Sequence, residues 1–198
     1  MNETKSVKQT ILHAAQLIVS NKGFSAVGLN EVLQAAEVPK GSFYHYFGSK
    51  DAFGVALLDN YFDGYLQGME KLFNAADRSE QQKLLSYWQC WIDNQTLQTD
   101  AGKCLAVKLG AEVADLSEPM RLALDRGTSR IIEVICASLQ RGIEDGSLTL
   151  EDNPKQVALR LYALWLGASV MAKITRTSTS FDEAMALTRT VLQDTLPR

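Results

Sequence analysis

Apolar residues recur three and four places apart along nearly the whole chain, and this spacing constrains the fold more than any other feature. In "SVKQTILHAAQLIVSNKG", residues 6–23, the side chains of Val7, Ile11, Ala14, Ala15 and Ile18 fall on one side of a helix. The two-residue alternation of a half-buried strand is almost absent. The chain is therefore expected to be all-α. Gly23 ends the first helix, as glycine does just past a helix C-terminus. A short second helix fits 29–36, burying Val32, Leu33 and Ala36. Pro39 suits the first turn of a third, where its missing amide has no partner to lose. Ser49 caps a fourth that runs to about Ala75, with Asp51 in its first turn. Longer helices are expected near 80–97, 102–115, 118–145, 154–175 and 181–195, about nine in all. The first 50 residues hold short helices and tight turns, and everything after holds long ones. This places a functional boundary near residue 50, with a head at 1–50 and a body at 51–198.

Charge sharpens that division. The 198 residues carry a net charge of −3, yet the first 50 contain five lysines against three glutamates. A mildly basic head on an acidic body suggests an anionic partner for the head alone. Cys90, Cys104 and Cys136 are too widely spaced for a zinc set or a disulfide framework, and no metal or cofactor is implied. The opening "MNETKSVKQT" lacks the apolar centre of a signal peptide. The most apolar run, 161–172, stops at Lys173, short of the roughly 20 residues that cross a bilayer. A reducing, cytoplasmic setting is the expectation.

The stretch "EVPKGSFYHYFGSKDAF", residues 37–53, gathers aromatic, lysine and serine groups around two glycines and a proline. A helix-turn-helix lays its second helix in the major groove of DNA. Residues 29–46 fit that plan, with Glu37, Val38 and Pro39 as the turn. Lys40 leads the recognition helix and can reach a base edge or a phosphate. Gly41 permits close backbone approach, and Ser42 is a small donor. Tyr44 and Tyr46 can each donate a hydroxyl to a phosphate. Phe43 and Phe47, four apart, form the inward pair that anchors the helix. Lys50 stands at the start of the fourth helix, where free amides and the dipole already favour an anion. By spacing alone, an aromatic core turn with solvated polar residues fits as well as a DNA-binding surface.

Taken together, "KGSFYHYFGSK" and the short helix and turn before it resemble the DNA-binding signature of TetR-type transcriptional regulators, over about the first 55 residues. The resemblance implies DNA contacts from Asn30, Lys40, Gly41, Ser42, Tyr44, His45, Tyr46 and Lys50. Three positions depart from the usual pattern: Asn30 stands in place of threonine, Glu37 of glycine and Pro39 of serine. His13 reads as a plain helix-face residue. The TetR-like plan adds a C-terminal helical domain for ligand binding and dimerisation, and a homodimer would read two half-sites of a near-palindromic double-stranded operator. The helix at 154–175 is apolar nearly all round and needs cover on both sides. Gly167, Ala168 and Ser169 would allow close approach of a partner, with Phe181, Ala184, Leu187 and Val191 of the final helix completing a four-helix interface. Tyr87, Trp88, Trp91 and Met171 are candidates either for a ligand cavity or, more simply, for core.

Cys104 is the other candidate. It falls in the first turn of a helix, beside Lys103 and four residues before Lys108, and both a helix N-terminus and nearby ammonium groups favour thiolate. By local sequence alone a small buried hydrophobe fits better. "KCLAVKLGAEVADLSEPMR" and "LYALWLGASVMAKITR", residues 103–121 and 161–176, resemble those TetR-type regulators that sense electrophiles and oxidants through a cysteine. That resemblance implies sensing at Cys104. Lys173 ends the apolar run; it either snorkels or pairs with Glu112, or it serves as an amine that traps the oxidised sulfur. The expected function is a dimeric repressor released by modification of Cys104. The alternatives are release by a non-covalent apolar ligand, a helical thiol enzyme, or a co-regulator whose head binds protein. No catalytic partner accompanies the cysteine, since both histidines lie in the head, so no enzyme activity is expected.

Overall fold

The computed structural model describes residues 6–96 and 104–192. Among the described residues the regular structure is helical, with no strand. In chain order the helices are α1 (Val7–Lys22), α2 (Leu29–Ala35), α3 (Lys40–Tyr46), α4 (Lys50–Phe73), α5 (Glu80–Thr96), α6 (Leu105–Leu116), α7 (Glu118–Glu144), α8 (Pro154–Thr175) and α9 (Thr179–Val191).

Each boundary in the head has a local cause. Ser6 caps α1 by accepting the Gln9 amide at 3.3 Å, and Gly23 closes it at φ +87°. The buried stripe of α1 is Ile11, Leu12, Ala15 and Val19. It is turned slightly from the expected one: Val7 is 40% exposed, and Ala14 and Ile18 are half-buried. Two neighbouring stripes share Ile11 and Ala15, and the spacing cannot choose between them; packing partners do. Val32, Leu33 and Ala36 are buried as expected. Beyond α2 the chain makes a Schellman turn. Val38 donates to the Leu33 carbonyl and Glu37 to that of Gln34, with Glu37 left-handed at φ +56°. Pro39 is the N-cap of α3 rather than a residue of its first turn. Ser49 Oγ accepts the Ala52 amide at 3.1 Å and so opens α4.

The described helices form two compact units, one drawn from residues 1–64 and 97–128, the other from 65–96 and 129–198. In the first, α4 packs closely on α7. A Cβ at Gly127 would lie 2.1 Å from the Phe62 ring, so only glycine admits that approach. Arg126 pairs with Asp59 at 3.2 Å, and the Ser117 hydroxyl donates to Asp51 at 3.2 Å.

The second unit is organised around aromatic rings. Trp88 stacks on Trp165 with centroids 4.9 Å apart and planes 5° from parallel. Trp91 Nε1 donates to Ser169 Oγ at 2.9 Å, and Trp165 Nε1 donates to Thr188 Oγ1 at 3.0 Å. Tyr87, Trp88 and Trp91 are thus core, while Met171 is 48% exposed and no part of it. Glu80, only 5% exposed, accepts from Lys83, Ser138 and Arg141 and ties α5 to α7. Burial pushes its carboxyl up, but those three donors outweigh it and hold it below the ordinary glutamate range.

Several expectations shift in detail. The helix expected from 102 begins at Leu105; 102 and 103 lie outside the described residues, as do the last positions, 193–195, of the final expected helix. Ala168, Ser169, Phe181 and Ala184 are buried within their own unit, where Phe181 lies over Trp165, so they are not surface available to a partner. Gly167 is exposed as expected. Taken as a whole, α8 is long and apolar enough to cross a membrane, with a mean hydropathy of 1.4 over 18 residues, although the shorter run at 161–172 is not.

Candidate nucleic-acid interface

α3 and its C-cap Phe47 combine buried rings with exposed polar groups. Phe43 is 1% exposed and Phe47 7%, with ring centroids 5.2 Å apart, and both rings meet Phe53 of α4 at 5.2 and 5.1 Å. These three rings fix the helix to α4. On the other side Tyr44 is 55% exposed, standing edge-on to Phe43, and Tyr46 is 38% exposed, edge-on to His45. Lys40, Gly41, His45 and Lys50 are exposed, as is Asn30 on α2; Ser42 is half-buried. A Cβ at Gly41 would meet nothing within 4 Å. Internal packing therefore does not require the glycine, which leaves a bare stretch of backbone facing outward.

Two lysines are steadied by rings. Lys50 Nζ lies 5.2 Å from the centre of Phe24, and Lys8 Nζ lies 5.9 Å from that of Phe47. Lys8 was not singled out from sequence. Its only signal is a positive residue at the start of α1, and nothing in the spacing shows that α1 begins beside the end of α3.

Cys104 lies in the first unit as the N-cap of α6, not inside the first turn, and is 5% exposed. Its carbonyl accepts the Lys108 amide at 3.1 Å. The Lys108 ammonium donates to the carbonyl of Asn21 at 2.8 Å. Lys103 is outside the described residues. Cys90 is exposed and Cys136 half-buried. In the second unit Lys173 is exposed and borders a cavity of about 330 Å³ with Gln95, Ser169, Arg176, Thr177 and Phe181. Glu112, considered from sequence as a partner for Lys173, accepts the amides of Phe24 and Ser25 at 3.2 and 2.6 Å. Burial raises its carboxyl, yet the bonds from Ser25 and Phe24 and the charge of Lys108 more than reverse this and leave it below the ordinary range.

This arrangement, three helices carrying a largely exposed Lys-Gly-Ser-x-Tyr-His-Tyr run on buried phenylalanines, has relatives. The family described as bacterial regulatory proteins of the tetR family matches residues 11–57, and the tetracyclin repressor-like C-terminal domain matches 81–188. The HTH-type transcriptional repressor NemR of Escherichia coli K12 is 40% identical over 185 residues, 93% of either chain. The transcriptional regulator AcuR of Cereibacter sphaeroides is 30% identical over 84% of this chain and 76% of its own. The crystal structure of the reduced form of E. coli NemR superposes with a TM-score of 0.89, covering 94% of this chain and 96% of that one.

Proposed function

The chain belongs to the TetR family of bacterial regulatory proteins, is a transcriptional repressor of the NemR type, and, we propose, works as a homodimer that leaves its operator when a reactive electrophile or oxidant modifies Cys104. Such regulators bind DNA and are not enzymes. The finer reading divides the chain into a head at 1–50 that grips DNA and a body at 51–198 that dimerises and senses, in a cytoplasmic setting.

The observation that carries the DNA-binding part is the two-faced α3. Burying Phe43 and Phe47 against Phe53 leaves Lys40, Tyr44, His45 and Tyr46 exposed and Ser42 half-buried, and Asn30 and Lys50 are exposed as well. The bare backbone at Gly41 admits a phosphate closely. Lys50 adds a cation at the start of α4, where amides have no helical partner. Contacts of this kind fix the register of a protein on duplex DNA, and binding then weakens steeply with salt. Replacing Lys40 with Ala should lower the slope of log K against log salt by about two, one for each copy in the homodimer. A slope that stays at the wild-type value would remove Lys40 from the interface, and binding with no salt dependence would point to a protein partner instead.

Dimerisation rests on what α8 and α9 leave uncovered. Leu159, Val170, Met171 and Ile174 on α8 are between 45% and 69% exposed, and Leu187 on α9 is 50% exposed. Several large apolar side chains left exposed on two neighbouring helices suit a partner, which would also account for the high hydropathy of α8. Ile174→Glu should shift the protein toward monomer in analytical ultracentrifugation.

The sensing part rests on the position of Cys104 at the N-terminus of α6, where the helix dipole favours thiolate. Its burial restricts a reagent's access to the sulfur. Exposed Cys90 should therefore be alkylated first by N-ethylmaleimide, with operator binding kept, and release should follow alkylation of Cys104. Mass spectrometry beside a mobility-shift assay resolves that order. A Cys104→Ser protein that still leaves DNA on treatment would end this reading. Lys173 belongs to the proposed sensing machinery, and Lys173→Ala with an unchanged oxidant response would exclude it. The cavity beside Lys173 keeps a second reading open, in which a non-covalent ligand releases the repressor. Recovery of DNA binding by dialysis, without thiol reductant, would favour that reading.

A further inference from the structure

The connection between α1 and α2 is held by a helix from far along the chain. Lys108 and Glu112 are four residues apart on α6, the spacing at which a lysine and a glutamate commonly pair with each other. Here each takes a separate part of the head. The Lys108 ammonium caps α1 by donating to the Asn21 carbonyl at 2.8 Å, where a cation meets the negative end of the helix. Glu112 accepts the next two amides that the turn leaves open, Phe24 at 3.2 Å and Ser25 at 2.6 Å. Between them stands Gly23 at φ +87°; a Cβ there would lie 2.7 Å from Glu112 Oε2. Only glycine both adopts that backbone and leaves room for the carboxylate.

What the clamp holds is connected to the recognition surface. The Phe24 amide is bonded to Glu112, and its ring lies under the Lys50 ammonium at 5.2 Å and against Phe53 at 6.4 Å. Phe53 in turn touches both Phe43 and Phe47, the rings that anchor α3. A single carboxylate thus fixes the residue that supports both a proposed phosphate contact and the aromatic seat of the recognition helix. All of these groups belong to one compact unit.

We infer that Glu112, assisted by Lys108, is a positioning residue for DNA recognition: by pinning the α1–α2 connection to α6 it sets the angle at which α3 and Lys50 meet the duplex. This rests on the DNA-binding reading above and is independent of how Cys104 is used. Glu112 touches no DNA, so its removal should loosen presentation without removing a phosphate contact.

The test uses the full-length protein and the duplex it selects from a random pool. Glu112→Gln keeps the size of the side chain and replaces one acceptor with an amide that cannot accept. Operator affinity should fall about tenfold, the worth of roughly one hydrogen bond to a charged group. The salt slope should stay at the wild-type value, because no phosphate contact is lost. Inserting one base pair between half-sites should cost the variant less than it costs the wild type, since loosely held heads adapt. That last readout separates positioning from mere loss of stability, which thermal unfolding reports alongside. Wild-type affinity together with a wild-type spacing penalty would overturn the inference. If E112Q does not fold, Lys108→Met decides: it should show both effects more weakly, and wild-type behaviour in both would likewise overturn it. A wild-type protein that selects no duplex would instead refute the DNA-binding reading itself.

Discussion

The two compact units use aromatic side chains in opposite ways. In the second, Tyr87, Trp88, Trp91 and Trp165 are at most 4% exposed and pack ring against ring, with Tyr87 edge-on to Trp88, Trp91 tilted against it and Trp165 stacked on it. In the first, Phe43 and the C-cap Phe47 are buried, but Tyr44 and Tyr46 of the seven-residue α3 are 55% and 38% exposed. Residue type therefore does not separate core from interface. The separating feature is the company each ring keeps. The buried rings sit at helical spacing among other apolar residues, while the exposed tyrosines alternate with lysine, glycine, serine and histidine on a helix too short to bury more than one side. A tyrosine left in water at such a site presents a flat apolar body and a hydroxyl donor together, which suits a phosphate-lined groove.

The largest effect should come from breaking the buried stack. Trp165→Ala empties the space between Trp88, Phe181 and Thr188 and should cost about 3–5 kcal/mol in denaturant unfolding. A loss under 1 kcal/mol would mean that the second unit does not depend on this stack. The matched change in the first unit, Tyr44→Ala, should leave stability within about 0.5 kcal/mol, as for other exposed positions. It should nevertheless weaken operator binding, about tenfold if the hydroxyl makes one phosphate bond. Destabilisation comparable to that of Trp165→Ala would erase the contrast between the units.

Next in size is Glu80, the charged counterpart of the tryptophan stack. Glu80→Ala leaves Lys83, whose side chain is 10% exposed, without its opposite charge, at a cost of about 3 kcal/mol. Arg141 suffers less, because its side chain is 46% exposed and can turn to water. The pH dependence follows from the direction of the shift. A carboxyl held below its ordinary value of 4.5 binds its proton more weakly folded than unfolded, so it stabilises the fold above that value. This contribution disappears as the pH falls through the folded value. Glu80→Gln should therefore flatten the acid limb of stability against pH, as measured by urea midpoints between pH 6 and 3. An unchanged limb would mean that other carboxylates set it.

How much of this was readable in advance follows the range of the interactions. The helices and some of their ends were legible because their causes lie within a few residues: Ser49 as a cap and Gly23 as a stop. The Lys-Gly-Ser-x-Tyr-His-Tyr stretch stood out because its residue types fall together, but spacing alone left an aromatic core turn equally open, and the resemblance to TetR-type regulators was what favoured DNA contact. What spacing could not supply were contacts across sequence distance. Nothing local shows that Glu112 takes the amides of Phe24 and Ser25, that Lys8 lies over Phe47, or that Phe181 turns inward to Trp165 while Leu187 turns out. The burial of Cys104 is of the same kind, for the residues next to it in sequence do not fix what packs over it.

The smallest expected effect concerns the one residue among those described in the head that works against its own backbone. Glu37 occupies the left-handed turn between α2 and α3 at φ +56°, where an L side chain crowds its own carbonyl. Glycine has no such penalty, though it gives up more chain entropy on folding. The net gain from Glu37→Gly should be about 0.5–1 kcal/mol in the unfolding of the full-length protein. The Schellman bonds from Glu37 and Val38 come from backbone amides and should survive the change. Because Glu37 is exposed on the turn that leads into Lys40, removing its negative charge should also raise operator affinity slightly at low salt, and this gain should fade as salt screens it. A variant less stable than the wild type would show that the Glu37 side chain, not only its backbone, holds the turn. The head would then resemble the second unit more than its exposed surface suggests.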